Sequence, residues 1–229
     1  MLTIKTVEPL QAIEWVKQGW RMFRANPVNW ALMGLLFGAI VLVLSMLPFI
    51  GGVLLNMTVP VLTGGMLLAV HNAYGGKPAE IRELFSAFKN DTQRNQLLLV
   101  GAIMLGAGFV AAILSKLLVG DIISVDQLTG MPVFNFGSSM LVFLLLVSVG
   151  MGMLFTYAPA LVVFKGMSAM DAVKGSFKGA WENALPFVIF AVLYAVLAFV
   201  ASIPLMLGFL VLIPVMMGAV YMSYKDIFG

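Results

Sequence analysis

The 229-residue chain has no cysteine and a single histidine, His71. Disulfides, iron–sulfur clusters and thiol chemistry are thereby excluded, and too few nitrogen and sulfur ligands remain for a zinc site. Charge is scarce too: Asp, Glu, Lys and Arg make up 10% of the residues, where an ordinary soluble domain has about 25%. With 62% hydrophobic residues and a mean hydropathy of +1.05, the apolar surface exceeds what a soluble core hides. The net charge of +3 comes from 13 basic residues scattered along the chain, which do not form a phosphate-binding face, so nucleic acid is not an expected partner. The Gly64–Gly65 and Gly75–Gly76 pairs lack a following Lys-Ser/Thr or a dinucleotide context, so they are not phosphate loops. No cofactor is expected.

What the chain does have is long uncharged stretches. From Ala25 to Gly76 there is no acidic or basic residue apart from His71, and the turn at Pro48, Ile50, Gly51 and Gly52 divides this stretch into spans at about Val28–Leu47 and Val53–Val70. A third span is expected at about Leu97–Leu118 and a fourth at about Ser139–Phe164. The stretch from Asn183 to Tyr224, broken at Ser202-Ile203-Pro204, supplies the fifth and sixth. Each approaches the roughly 20 apolar residues that cross a bilayer. The expected fold is all-α: one polytopic bundle, residues 1–229, of six transmembrane helices. A cleaved signal peptide is not expected, because the first apolar run is too long and no small-x-small site follows it.

Twelve of the 13 basic residues fall before span one, between spans two and three, between four and five, or after six. By the positive-inside rule both termini are cytoplasmic. The exception, Lys116, sits at the outer end of span three, positioned to snorkel or to pair with Asp121. The outer connection, 120–137, has two acids, Asp121 and Asp126, and an apolar patch of Val133, Phe134 and Phe136 that is expected to dip into the outer interface.

Each cytoplasmic segment has an amphipathic helical pattern before a pair of spans. A shift of 157 places Glu14 on Asp171, Val16 on Val173, Lys17 on Lys174, Trp20 on Phe177, Arg21 on Lys178 and Asn26 on Asn183. A shift of 65 places Val16 on Ile81, Lys17 on Arg82, Trp20 on Phe85, Phe23 on Phe88 and Arg24 on Lys89. The expected unit is one interfacial helix plus one transmembrane hairpin, three times over: about 9–75, 76–165 and 166–229. Because each unit starts and ends on the same side, the three are parallel repeats about an axis along the membrane normal. At 100° per residue Glu14, Lys17, Arg21 and Arg24 share one arc, opposed by Ile13, Trp15, Val16, Trp20, Met22 and Phe23. This is a membrane-surface pattern, with aromatic rings at headgroup depth and basic groups toward anionic lipid. The expected lipid- or partner-contacting residues are Trp15, Lys17, Trp20, Arg21, Phe23 and Arg24; Arg82, Phe85, Phe88 and Lys89; and Lys174, Phe177, Lys178 and Trp181.

No ionisable residue lies clearly within a span, which counts against a proton-coupled pump and an intramembrane hydrolase. Neither catalytic nor metal-ligating residues are expected, and His71 is read as interfacial. Spans two and four carry polar groups and kinking prolines: Asn56, Thr58, Pro60 and Thr63 in one, Tyr157 and Pro159 in the other. These are the candidate lining of a cavity between repeats. Gly34 and Gly38, Ala102, Gly106 and Gly108, and Ser148 and Gly152 are read as close-packing positions.

The residues Gly19-Trp20, Phe23, Asn26-Pro27 and Trp30, then Ala158-Pro159-Ala160-Leu161, then the terminal Tyr221-Met222-Ser223-Tyr224-Lys225-Asp226-Ile227-Phe228 make the whole chain resemble a family of six-helix bacterial inner-membrane proteins. That family is distantly similar to YciC-type proteins and to the membrane domain attached to some glycerophosphodiester phosphodiesterases. The resemblance implies the bacterial cytoplasmic membrane and six helices, but no particular activity and no functional residues. With no phosphodiesterase domain in these 229 residues, headgroup hydrolysis is not expected. The leading reading is a non-enzymatic envelope protein whose interfacial helices contact lipid or a protein partner, with self-association left open. The alternative is a transporter or lipid translocator with a cavity between the repeats.

Overall fold

In hydrocarbon every backbone N–H and C=O must be satisfied internally, and a helix does this within one segment. A computed structural model of the chain describes residues 2–120, 123–125, 131–134 and 137–229. Helix α1 (Gln11–Ala25) passes through one residue, Asn26, into α2 (Pro27–Ser45), which pairs with α3 (Gly51–Tyr74). A 3-10 helix (Ile81–Phe85) and the single turn α4 (Ser86–Lys89) precede α5 (Asp91–Leu118). Next comes a small antiparallel ribbon, β1 (Ile123–Val125) with β2 (Pro132–Phe134), in which Ser124 stands opposite Val133. The fourth span is in two pieces, α6 (Ser138–Phe155) and α7 (Ala158–Lys165). Helix α8 (Ala169–Glu182) leads into the hairpin α9 (Ala184–Ser202) and α10 (Phe209–Phe228). Among the described residues six helical segments are long and apolar enough to cross a membrane, so the chain is a multi-pass integral membrane protein. Apart from the ribbon, the described architecture is helical.

Local chemistry sets the boundaries. Pro27 opens α2, where its missing N–H is not needed. Asn90 caps α5 by accepting from the Gln93 amide at 3.0 Å, and Ser168 caps α8 by accepting from the Asp171 amide at 3.2 Å. Gly166, at φ 63°, ends α7 in the left-handed region. The tight hairpin turns force three non-glycine residues into that region: Phe49 at φ 64°, Leu205 at 50° and Met206 at 65°.

In the first and third hairpins the second helix is the inner one, whereas the window of the fourth span as a whole is only 11% buried. Half of the apolar window of α3 (50%) and of α10 (56%) is buried, against 17% in α2 and α5 and 22% in α9. In the fourth span residues Ala158–Val163 of α7 are buried while α6 faces outward. Rings join α3, α7 and α10: Phe164 lies 5.3 Å from His71, 5.6 Å from Tyr221 and 5.4 Å from Tyr224. Helix α1 packs along α10, the 3-10 helix packs on α3, and α8 packs on α6 and α7. At Gly19 an added Cβ would overlap the Val215 carbonyl of α10, and at Gly65 it would overlap the Leu84 carbonyl. Both glycines therefore allow backbones to touch.

Two expectations change. The middle amphipathic segment is not a continuous helix but a 3-10 helix followed by one turn. Glu80 and Glu83 form a capping box there, and the Leu84 carbonyl is seated on Gly65, which holds the chain against α3 until Asn90 starts the next span. The break in span four, in turn, has a cause outside that span. The fully buried Ser176 of α8 accepts from the Tyr157 amide at 3.0 Å and donates to the Met153 carbonyl at 2.8 Å. In an unbroken helix those two groups would pair with each other. A hydroxyl inserted into the ladder opens the helix there, and Pro159 removes a further donor two residues on.

The exposed Lys116 ends α5. Its expected partner Asp121 lies outside the described residues, as do Asp126 and Phe136, and of Val133 and Phe134 only the backbone is described.

Candidate functional site

The amphipathic segments collect at the end of the bundle that carries both termini and nearly all the charge. Each was expected to present a mixed basic and aromatic surface, and the structure divides those residues into two sets.

One set faces inward. Trp15 is 0% exposed, donates its Nε1–H to Asp226 Oδ2 at 2.8 Å and meets Phe190 edge-on at 5.9 Å. Gln11 donates to the same carboxylate oxygen at 2.9 Å. Phe23, 7% exposed, belongs to the core with Ala12 and Met22. Trp15 and Phe23 therefore hold α1 to the bundle and do not reach lipid. The apolar face that was expected to lie on the membrane is largely spent on α10.

The other set faces outward. Trp20 is 45% exposed, Phe85 38%, Phe177 40% and Trp181 65%. Trp20 stacks on Phe23 at 5.7 Å, Phe177 stacks on Trp181 at 5.9 Å, and Phe85 lies 6.3 Å from the half-buried Phe88. Every segment thus presents one ring pair at this end. The basic groups beside them are all exposed, and they divide by partner. Lys17 pairs with Glu14 at 2.6 Å, Lys178 with Glu182 at 3.8 Å and Arg82 with Glu80. Among the described residues Arg21, Arg24, Lys89 and Lys174 make no ion pair, although Arg21 lies within electrostatic range of Glu14, so their charge is available to another anion. The Lys17 ammonium holds the Glu14 carboxyl below the usual carboxylate range.

The candidate cavity residues do not converge. Asn56 turns its amide onto its own helix, donating to the Gly52 carbonyl at 2.8 Å. Thr58 and Thr63 are half-buried and Pro60 is buried, all on α3. Tyr157 and Pro159 are buried where α6 meets α7. The Tyr157 ring packs 5.4 Å from Phe228 and 6.5 Å from Phe187. Its hydroxyl has no hydrogen-bond partner among the described residues. His71 is exposed at the charged end and bonds Tyr221 Oη through Nδ1 at 2.7 Å. Among the described residues, no three His, Cys, Asp or Glu side chains lie together as metal ligands would.

Three residues outside the predicted site matter here. Asp226, Ser176 and Asn183 anchor the segments, and each does so through a partner remote in sequence, which no local pattern signals. Asn183 accepts from the Val7 amide at 2.8 Å and donates to the Lys5 carbonyl at 3.0 Å, tying down the N-terminal strand-like stretch.

The fold and this surface define a class, a multi-pass helical membrane protein with one charged and aromatic end. Comparison with protein-family models, with curated proteins and with solved structures returned no match.

Proposed function

We propose that the chain is a non-enzymatic protein of the bacterial cytoplasmic membrane, with both termini inside, whose charged and aromatic end holds anionic lipid of the inner leaflet. The carrying observation is the pairing of exposed rings with unpartnered cations: Trp20 with Arg21 and Arg24, Phe85 with Lys89, and Phe177 with Lys174. Rings of this kind settle at headgroup depth. A basic group near an anionic leaflet contributes about 1 kcal/mol, and four together outweigh thermal energy several-fold.

In this reading three parallel units, 9–75, 76–165 and 166–229, carry the end as a ring. Its support is that each amphipathic segment packs on the second span of the unit before it: residues 81–89 on α3, α8 on α6 and α7, and α1 on α10, where the ring closes. The shifts of 65 and 157 that align the segments also place Gly19 on Leu84 and on Ser176. All three sit at the point of closest approach to that span.

The test uses vesicles of mixed phosphatidylglycerol and phosphatidylcholine. Wild type is expected to co-purify with phosphatidylglycerol in excess of its share. The variant R21E/R24E/K89E/K174E is expected to lose that enrichment while keeping its helical content. Equal enrichment in both would refute the reading.

A further inference from the structure

Two asparagines hold equivalent places, each the single residue between an amphipathic helix and the span it feeds: Asn26 between α1 and α2, and Asn183 between α8 and α9. At Asn183 the neighbouring extended stretch lies directly on the side chain. Its two amide groups are taken by Val7 and Lys5, and the residue is 2% exposed. At Asn26 the corresponding stretch, residues 76–80, stands away. It is pinned one helical turn further along, by Asn29 donating to the Ala79 carbonyl at 2.8 Å. Gly76, at φ 83°, begins this stretch in the left-handed region.

The result is a recess of about 360 Å³, which is within the range of small-ligand pockets. Trp30, 1% exposed, is among its walls with Asn26, Tyr74, Gly76, Lys77 and Ala79. Among the described residues Asn26 makes no side-chain hydrogen bond and Lys77 no ion pair. No acidic side chain lines the recess, and Arg21 lies within electrostatic range of Tyr74. The polar groups offered are an ammonium, a phenol and a carboxamide. That is a donor set for a phosphate oxygen, with the carboxamide oxygen left to accept from a headgroup hydroxyl.

The geometry points to a discrete site for one anionic phosphodiester headgroup, that of a glycerophospholipid, between Asn26, Tyr74 and Lys77. It rests on the lipid-holding reading above and adds to it a single stoichiometric lipid, distinct from the diffuse attraction of the outer cations.

The test is native mass spectrometry of the full chain in detergent, titrated with phosphatidylglycerol. Wild type is expected to hold one lipid more tightly than those that follow. N26A/K77A is expected to bind that first lipid about tenfold more weakly, as befits the loss of one charge-assisted hydrogen bond, at unchanged helical content. K89E/K174E, away from the recess, is expected to keep the first lipid and lose later ones. A first lipid held equally by N26A/K77A would overturn the site. Displacement of that lipid by millimolar inorganic phosphate would also overturn it, in favour of a free-phosphate site. Loss of the first lipid in N26A/K77A with no effect of K89E/K174E would sustain the site and refute the wider reading.

Discussion

At the scale of the residue, Ser176 and Tyr157 divide the possible meanings of the kink in span four. Ser176 occupies both a buried donor and a buried acceptor of the interrupted ladder. Ser176→Ala would leave both unsatisfied, and the expected loss is about 1–3 kcal/mol, read by unfolding in mixed micelles. Tyr157→Phe removes a buried hydroxyl that makes no hydrogen bond. It is expected to be neutral or to stabilise by up to about 1 kcal/mol. A clear destabilisation would mean that the hydroxyl serves a water or ligand in a cavity, as the transporter reading requires. Sequence flagged Tyr157 and Pro159 but not Ser176, because the hydroxyl arrives from a different helix. The Glu14 carboxyl, lowered by Lys17, titrates in the expected direction: its ion pair contributes above the ordinary carboxylate pKa and is lost as pH falls through the lowered value. On an exposed pair salt screens this contribution.

At the scale of the element, charge gaps were sufficient to place the six spans and their turns, since a helix that crosses lipid cannot tolerate charge near its centre. What the pattern could not separate was protein-facing from lipid-facing apolar residues. Both surroundings are equally apolar, so Trp15, which is buried, and Trp20, which is exposed, look alike on a helical wheel. The middle segment shows the same limit. Its spacing suits a helix, but contact with Gly65 and the nearby Asn90 cap leave it a 3-10 helix and a turn. Glycine contacts identify the junctions that matter. Gly19→Leu would drive a side chain into the Val215 carbonyl and is expected to cost about 3 kcal/mol by overpacking, with α1 released from α10. At Gly38 nothing lies within 4 Å of an added Cβ, so Gly38→Ala is expected to be harmless or to stabilise by about 0.5–1 kcal/mol. Comparable losses in the two variants would contradict the packing described.

At the scale of the whole molecule, the account requires every amphipathic segment to lie on one side of the membrane and every hairpin turn on the other. The site was half legible in advance: the exposed rings and free cations follow from spacing and charge, whereas the recess at Asn26 depends on how far residues 76–80 stand from a helix junction, which spacing does not report. The absence of native cysteine makes the decisive measurement clean. Single cysteines at Lys17, Lys89 and Lys178, and at Phe49 and Leu205 in the turns, would be probed in intact cells with a membrane-impermeant maleimide. The account predicts labelling at 49 and 205 and protection at 17, 89 and 178 until the membrane is opened. Labelling of any of the three lysine positions in intact cells would contradict it.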